Sequence, residues 1–271
     1  MTLLSRMTRA ALGLVAAAGL AIGLASTAQA LTPDEIKAKG KLVVGVLTDF
    51  PPFAGLDENQ QPAGYDQDVA KLMAEELGVE LEFVPVTGPN RIPYLLTNRV
   101  DILIAALGIN AERAQQVNFS KPYSTLEVMV MAPKEREVRG PEDLPRYVVG
   151  VTRAGSQDTF VSAVAPAGTD IRRFDEDPLT LQALVAGQVE VIGASSIHLA
   201  ILNRDYPQLG IEKKFPLHVQ GNGIGIRKED GELLEFAHAF VDKIVADGRL
   251  NEINQRWFGA PLGELPPLPE F

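Results

Sequence analysis

The residues from Asp101 to Tyr123 carry the chemistry most open to reading: Asp101-Ile-Leu-Ile-Ala-Ala-Leu-Gly-Ile-Asn-Ala-Glu-Arg113, and a little further on Asn118-Phe-Ser-Lys-Pro-Tyr123. Asp101 to Leu107 is an apolar run of strand length, Gly108 frees the backbone, and Asn110 is a good N-cap for a short helix through Ala111, Glu112 and Arg113. Open amides, a helix start and a guanidinium thus meet at one edge of a sheet, a set of donors suited to a carboxylate. An ordinary capped loop with Arg113 in a surface ion pair is the alternative on these residues alone.

Such an edge requires a parallel sheet, and the surrounding pattern supplies one. From Leu42 onward short β-type runs alternate with helical ones, the signature of an α/β fold. Strands are expected at Lys41 to Leu47 and Val79 to Val86. Helices are expected over Tyr65 to Leu77 and Pro89 to Thr97, the latter with Ile92, Leu95 and Leu96 inward. A second round follows Pro133, with strands at Tyr147 to Thr152, Ile171 to Phe174 and Val189 to Ala194, and helices over Ser156 to Val164, Leu179 to Ala186 and Ile197 to Arg204. Leu126 to Met131 and the glycine-interleaved Leu217 to Arg227 read as two extended segments passing between lobes, Gly221, Gly223 and Gly225 permitting rotation. Two helices, Gly231 to Ala246 and Leu250 to Phe258, return the chain to the first lobe. The expected division is a leader over 1–30, a first lobe over 31–128 and 221–271, and a second lobe over 129–220, with a ligand cleft between them.

The leader sets the compartment. Arg6 and Arg9 precede an apolar run from Ala10 to Leu24, and Ala28-Gln29-Ala30 is a small-x-small cleavage pattern, which places the mature start at Leu31 and the protein in the periplasm. Gly13, Gly19 and Gly23 interrupt a core short of the ~20 apolar residues of a spanning helix. With no cysteine there is neither a disulfide nor a thiol to carry a lipid anchor. The net charge of −10 becomes about −12 once Arg6 and Arg9 are removed, which argues against nucleic acid and anionic lipid as partners. Hydrophobic residues at 46% suffice for real cores, the proline-rich Leu265 to Phe271 excepted.

Across the mature chain the order and spacing of several motifs resemble the polar-amino-acid type of periplasmic solute-binding proteins that serve ABC importers. The motifs are Leu42-Val-Val-Gly-Val, Asp49-Phe-Pro-Pro-Phe53, Gly64-Tyr-Asp-Gln-Asp68, Arg91-Ile-Pro-Tyr-Leu95, Asp101 to Arg113, Phe119-Ser-Lys-Pro-Tyr123 and Gly223-Ile-Gly-Ile-Arg-Lys-Glu-Asp230. The resemblance implies a type II periplasmic-binding fold of two α/β lobes closing on ligand across two hinge crossings. Position by position, it implies that Arg113 clamps a ligand carboxylate, that Ala106 and Gly108 meet the ligand through their main chain, and that Phe50 stacks on it. It further implies that Ser156, at a helix start, completes the carboxylate site, with Thr152 and Gln157 lining the pocket. One position departs: where the family carries an aspartate for the α-ammonium, this chain has Ser195. Glu190 lies at the far end of that strand, roughly 16 Å away at ~3.3 Å per residue. Asp49 and Asp158 are the nearest substitutes by sequence, unless the ligand is not an α-amino acid. Arg91 and Arg153 are expected at the surface or, alternatively, adding positive potential to the cleft.

The expected function is therefore that of the binding component of an importer, taking an amino acid or related small carboxylate and delivering it as a monomer to an inner-membrane permease, with no cofactor and no metal. A cyclohexadienyl-dehydratase-like enzyme has the same fold but needs a general acid at the ligand, which Ser195 does not supply. His198, His218 and His238 stand in no metal-binding motif and no G-x-S-x-G elbow is present. A sensor that reports ligand to a membrane receptor is the third class.

Overall fold

The computed structural model describes residues 30–271, so the leader and its cleavage pattern up to Gln29 lie outside the described residues. The chain begins with α1 (Pro33–Lys39), opened by a Thr32 and Glu35 capping box, and enters β1 (Lys41–Val46). A small hairpin, β2 (Gly55–Leu56) and β3 (Pro62–Ala63), leads to α2 (Tyr65–Leu77), whose Tyr65, Val69, Met73 and Leu77 are buried at helical spacing. Next come β4 (Glu80–Pro85), α3 (Arg91–Leu96), β5 (Ile102–Leu103), α4 (Ala111–Ala114) and β6 (Val117–Phe119). The long β7 (Ser124–Pro133) leads to a second unit: β8 (Val148–Thr152), α5 (Ser156–Val164), β9 (Asp170–Phe174), α6 (Asp177–Val185), β10 (Val191–Ser195) and α7 (Ser196–Asp205). The chain returns along β11 (Ile211–Asn222) to β12 (Gly225–Arg227), and finishes with α8 (Gly231–Ala246) and α9 (Arg249–Phe258).

Two five-stranded sheets result, ordered β4-β1-β5-β12-β6 and β11-β7-β10-β8-β9. In each, the first strand of a parallel β-α-β-α-β unit is central, with the second and third strands on either side of it. The first sheet is covered by α2, α8 and α9, whose Val69, Met73, Phe240 and Ile244 join Val44 and Ile102 in one core. Each such side chain taken out of water contributes about 1.5–3 kcal/mol. The second sheet buries Met129, Ile192 and Leu202 on one side and Val130, Val149 and Val161 on the other. Strands β7 and β11 pair antiparallel from Ser124↔Asn222 to Pro133↔Ile211 and run as one ribbon from the crossings into the second sheet.

The structure corrects four expectations. The strand expected over Asp101 to Leu107 is regular only at Ile102–Leu103; beyond it the chain stays buried but leaves the ladder, and Ala106 turns to a left-handed φ of 43°. Leu96, expected inward, faces solvent, 44% exposed, as the last residue of α3, which spans only Arg91–Leu96 with Thr97 as its C-cap. The second-unit helix begins at Asp177, two residues before Leu179, with Pro178 inside its first turn. Gly221, Gly223 and Gly225 have ordinary backbone angles, so rotation is not what requires them. A Cβ on Gly225 would lie 2.8 Å from Leu107 Cδ2 and 3.2 Å from Leu103 Cβ, so that glycine is there to let β12 lie close against β5.

Candidate functional site

The carboxyl ends of the parallel strands face one another across the cleft, where an open α/β sheet places its ligand. Leu47, Asp49 and Phe50 follow β1, Ala106 follows β5, Thr152 ends β8 and Gly155, Ser156 and Gln157 come after it, Asp175 and Asp177 follow β9, and Ser195 ends β10. Together with Arg91, Leu126, Val128, His198 and Gln220 they line one cavity.

The first-lobe floor is a buried, bonded network. Asp66, at the start of α2, accepts from the Ala106 amide at 2.7 Å and from the Tyr123 hydroxyl at 2.9 Å, which pins the left-handed bend of Ala106. Burial pushes the Asp66 carboxyl up to about 7, with the two hydrogen bonds and the nearby Arg91 charge pulling the other way. Arg91 is 4% exposed and donates Nη1 to Ala105 O at 2.8 Å and Nη2 to Ala154 O at 3.4 Å.

Arg113 is buried equally well, and its cap is the expected one: Asn110 Oδ1 accepts from the Arg113 amide at 2.9 Å. Its guanidinium donates to Gly108 O at 2.7 Å, Ser156 Oγ at 3.1 Å and Ala154 O at 2.8 Å. Burial, and then the neighbouring Arg91 charge, lower its pKa. Two first-lobe arginines thus grip one second-lobe carbonyl, that of Ala154, which holds a left-handed φ of 55° just before α5. A non-glycine residue in that conformation costs about 1–2 kcal/mol, which the charge-assisted bonds offset.

On the second lobe, Asp177 Oδ1 accepts from Thr152 Oγ1 at 2.5 Å and Gln157 Nε2 at 3.0 Å. Ser195 is the N-cap of α7, and its amide and hydroxyl both lie against His198 Nδ1, at 3.3 and 3.2 Å. Since the amide can only donate, Nδ1 accepts and the ring proton sits on Nε2, 3.9 Å from Asp177 Oδ1. Burial lowers the His198 pKa, the Asp177 charge opposing it. The His198 ring packs on Phe50, centroids 5.1 Å apart, and Phe50 stacks on Phe53 at 5.5 Å. Asp49 is pushed up to about 6, first by burial and then by the facing charges of Asp177 and Glu176, partly offset by the amides of Asp49 and Asp177.

Of the residues expected from sequence, Phe50, Ala106, Thr152, Ser156, Gln157 and Ser195 line the cavity. Arg113 and Gly108 sit just behind it: Arg113 touches Ser156, and the Gly108 backbone pairs with Asn222. Arg91 is not a surface charge but a buried member of the lining. Arg153 is exposed and paired with Asp175 at 2.8 Å. Asp158 is not a substitute for the missing aspartate, being held by Arg173 outside the lining, and Glu190 binds the Val148 amide and Arg136. Asp177 is a lining residue that the sequence did not point to, and His198, considered there only as a metal ligand, is another. The signal for Asp177 is Glu176-Asp177-Pro178 directly after a strand, an acidic helix start with proline in the first turn. With Asp49 and Asp177 in the cavity, acids do face it, so Ser195 gives no argument against an enzyme.

Comparison with known proteins agrees with this architecture. The family model "Bacterial extracellular solute-binding proteins, family 3" matches residues 42–260. The L-cystine-binding protein TcyJ of Escherichia coli K12 is 27% identical over 262 residues, covering 95% of this chain and 98% of its own. A mutant of ArgBP from T. maritima superposes with a TM-score of 0.77 at 33% identity, covering 85% of this chain and all of that one. The ancestral amino acid-binding protein AncCDT-1, a precursor of cyclohexadienyl dehydratase, gives a TM-score of 0.74 at 30% identity over 83% of this chain and 98% of that one. With the family model spanning most of its length, the chain belongs to the bacterial extracellular solute-binding proteins of family 3.

Proposed function

We propose that this protein is the periplasmic binding component of an ABC importer, taking an amino acid into the cleft and delivering it, as a monomer, to an inner-membrane permease. The observation that carries the reading is the meeting of Arg113, Arg91 and the start of α5 at one wall of a cavity lined from both lobes. A ligand carboxylate entering there exchanges the Ala154 carbonyl and Ser156 hydroxyl for its own oxygens as acceptors of the Arg113 guanidinium, with the free amides of the α5 first turn beside it. Ala106 presents main chain, Gly108 backs it by holding Arg113 through its carbonyl, Phe50 presents a ring face, and Thr152, Gln157 and Ser195 close the second-lobe wall. Ligand favours the closed arrangement because it touches both lobes.

Relatives named for what they bind support binding over catalysis. The test is calorimetry of L-arginine and L-cystine on the exported protein and on Arg113→Ala, after a thermal-shift screen that includes dicarboxylates, diamines and aromatic acids. The variant is expected to bind about 1.5–3 kcal/mol more weakly, the range of charge-assisted hydrogen bonds. Unchanged affinity overturns the carboxylate assignment, and turnover of an aromatic ring acid overturns the binding role.

A further inference from the structure

The second-lobe half of the cavity holds negative charge that the protein itself does not balance. Asp177 gives Oδ1 to two neutral donors, and its Oδ2 has no partner among the described residues. Asp49 faces it from the first lobe, with no cation hydrogen-bonded to it among the described residues. The other charges facing this pair are Glu176 at the α6 start, Asp175, Arg91 from α3 and His198 from α7. Asp175 already pairs with Arg153, Arg91 is bonded to two carbonyls, and burial holds His198 toward its neutral form. A second and independent mark of a ligand is His198 itself: 97% buried, in the cavity wall, its Nε2–H has no acceptor within hydrogen-bond distance among the described residues, so it calls for an acceptor on the same ligand and marks the pocket, not the ammonium.

We propose that the ligand carries a cationic nitrogen, an ammonium, which sits between Asp177 of the second lobe and Asp49 of the first, and that Asp49 gives up a proton to solvent as the ammonium arrives. Ser195 is excused from the ammonium role because its hydroxyl and amide are both turned onto His198. The carboxylate moves from the end of β10 to the start of α6, and Thr152 and Gln157 hold it there. The step balances: a neutral Asp49 carboxyl becomes a carboxylate, its proton passes to the buffer, and the ligand nitrogen stays protonated. Without the cation, closure over the two facing acids keeps the proton on Asp49; with it, both acids are ionised and draw the lobes together onto the ammonium. The raised Asp49 pKa is what puts this exchange near pH 6.

The inference rests on the cleft being the ligand site, and its test separates the two. The probes are the proteinogenic L-amino acids and L-cystine, each paired with the acid of the same skeleton lacking the α-amino group, and 1,4-diaminobutane, screened by thermal shift on the exported protein. For the amino acid with the largest shift, titration at pH 6 in two buffers of different ionisation enthalpy is expected to show about half a proton released per site, absent in Asp49→Asn. Asp177→Asn is expected to weaken binding about 10- to 100-fold, and Asp158→Asn not at all. The unliganded melting temperature of each variant confirms that it folds. Acids lacking nitrogen that bind as tightly as the amino acids overturn this inference and leave the carboxylate reading standing. Diaminobutane binding with no amino acid binding does the reverse. Silence from every probe overturns both, and an Asp177→Asn protein of undiminished affinity overturns the ammonium site alone.

Discussion

The two lobes contribute the same edge, the carboxyl end of a parallel β-α-β-α-β unit with its first strand central, yet they furnish it in opposite ways. The first lobe brings charges that are buried and hydrogen-bonded to main chain: Asp66 to Ala106, Arg91 to Ala105, Arg113 to Gly108. The second brings groups at helix starts that keep a free valence, such as Asp177 Oδ2, or meet solvent, such as Arg153. The difference teaches that the floor built on Asp66 is scaffold, while Arg113 and Asp49 beside it and the helix starts of the second wall face the ligand. Changes at Asp66 should cost stability before they alter selectivity, and changes at the second-wall helix starts the reverse.

The sharpest way to break this contrast is Asp66→Ala, which strands the buried Ala106 amide and Tyr123 hydroxyl. Denaturant unfolding is expected to show a loss of about 3 kcal/mol, at 1–3 kcal/mol per unsatisfied group; a loss below 1 kcal/mol would make the first wall no scaffold. On the second wall, Thr152→Val removes one donor to Asp177 and should weaken amino-acid binding by about 1 kcal/mol in calorimetry while moving the melting temperature little. A larger stability loss than binding loss would erase the contrast.

The pH dependence sharpens it further. Asp49 and Asp66 bind protons more tightly folded than unfolded, at about 6 and about 7 against an ordinary 3.8. The folded state therefore holds more protons on these two groups across this window, and their contribution to stability is fully present below about pH 4 and is lost as pH rises through 6 to 7. For these groups the melting temperature of unliganded protein should drop between pH 5 and 8, and drop less in Asp49→Asn; an identical profile in the variant would place Asp49 outside the cleft electrostatics. The smallest effect belongs to Arg153→Ala, an exposed pair with Asp175, where stability should change by at most about 0.5 kcal/mol.

How much of this was legible follows the same divide. The first wall was readable because its signals are local: an N-cap at Asn110, small residues at a strand end, Arg113 three positions on. Helices with strong periodicity, α2, α5 and α8, begin and end where the spacing places them. What was hidden depends on contacts between distant residues. Arg91 is held by carbonyls 14 and 63 positions away, those of Ala105 and Ala154, and no local pattern records them. The role of Asp177 is set by Thr152 and Gln157 on another strand and helix. Reading the α6 start at Leu179 left Asp177 in a loop, so a two-residue boundary error concealed a member of the cavity wall. The glycines of the crossings were recognised, but the reason for Gly225 is a neighbouring strand, which composition does not reveal.

The ribbon of β7 and β11 has a mechanical consequence. Its strands are hydrogen-bonded up to the Ser124↔Asn222 pair, so the free connections shrink to the few residues about Ser120 to Tyr123 and Gly223 to Ile224, and even these exchange backbone bonds, Tyr123 N to Asn222 O at 2.9 Å and Ser120 N to Ile224 O at 3.0 Å. Two such tethers roughly 5 Å apart act as adjacent pins of a single door. They resist shear and twist and leave one soft swing, so whatever enters the cleft is translated into a single angle between the lobes.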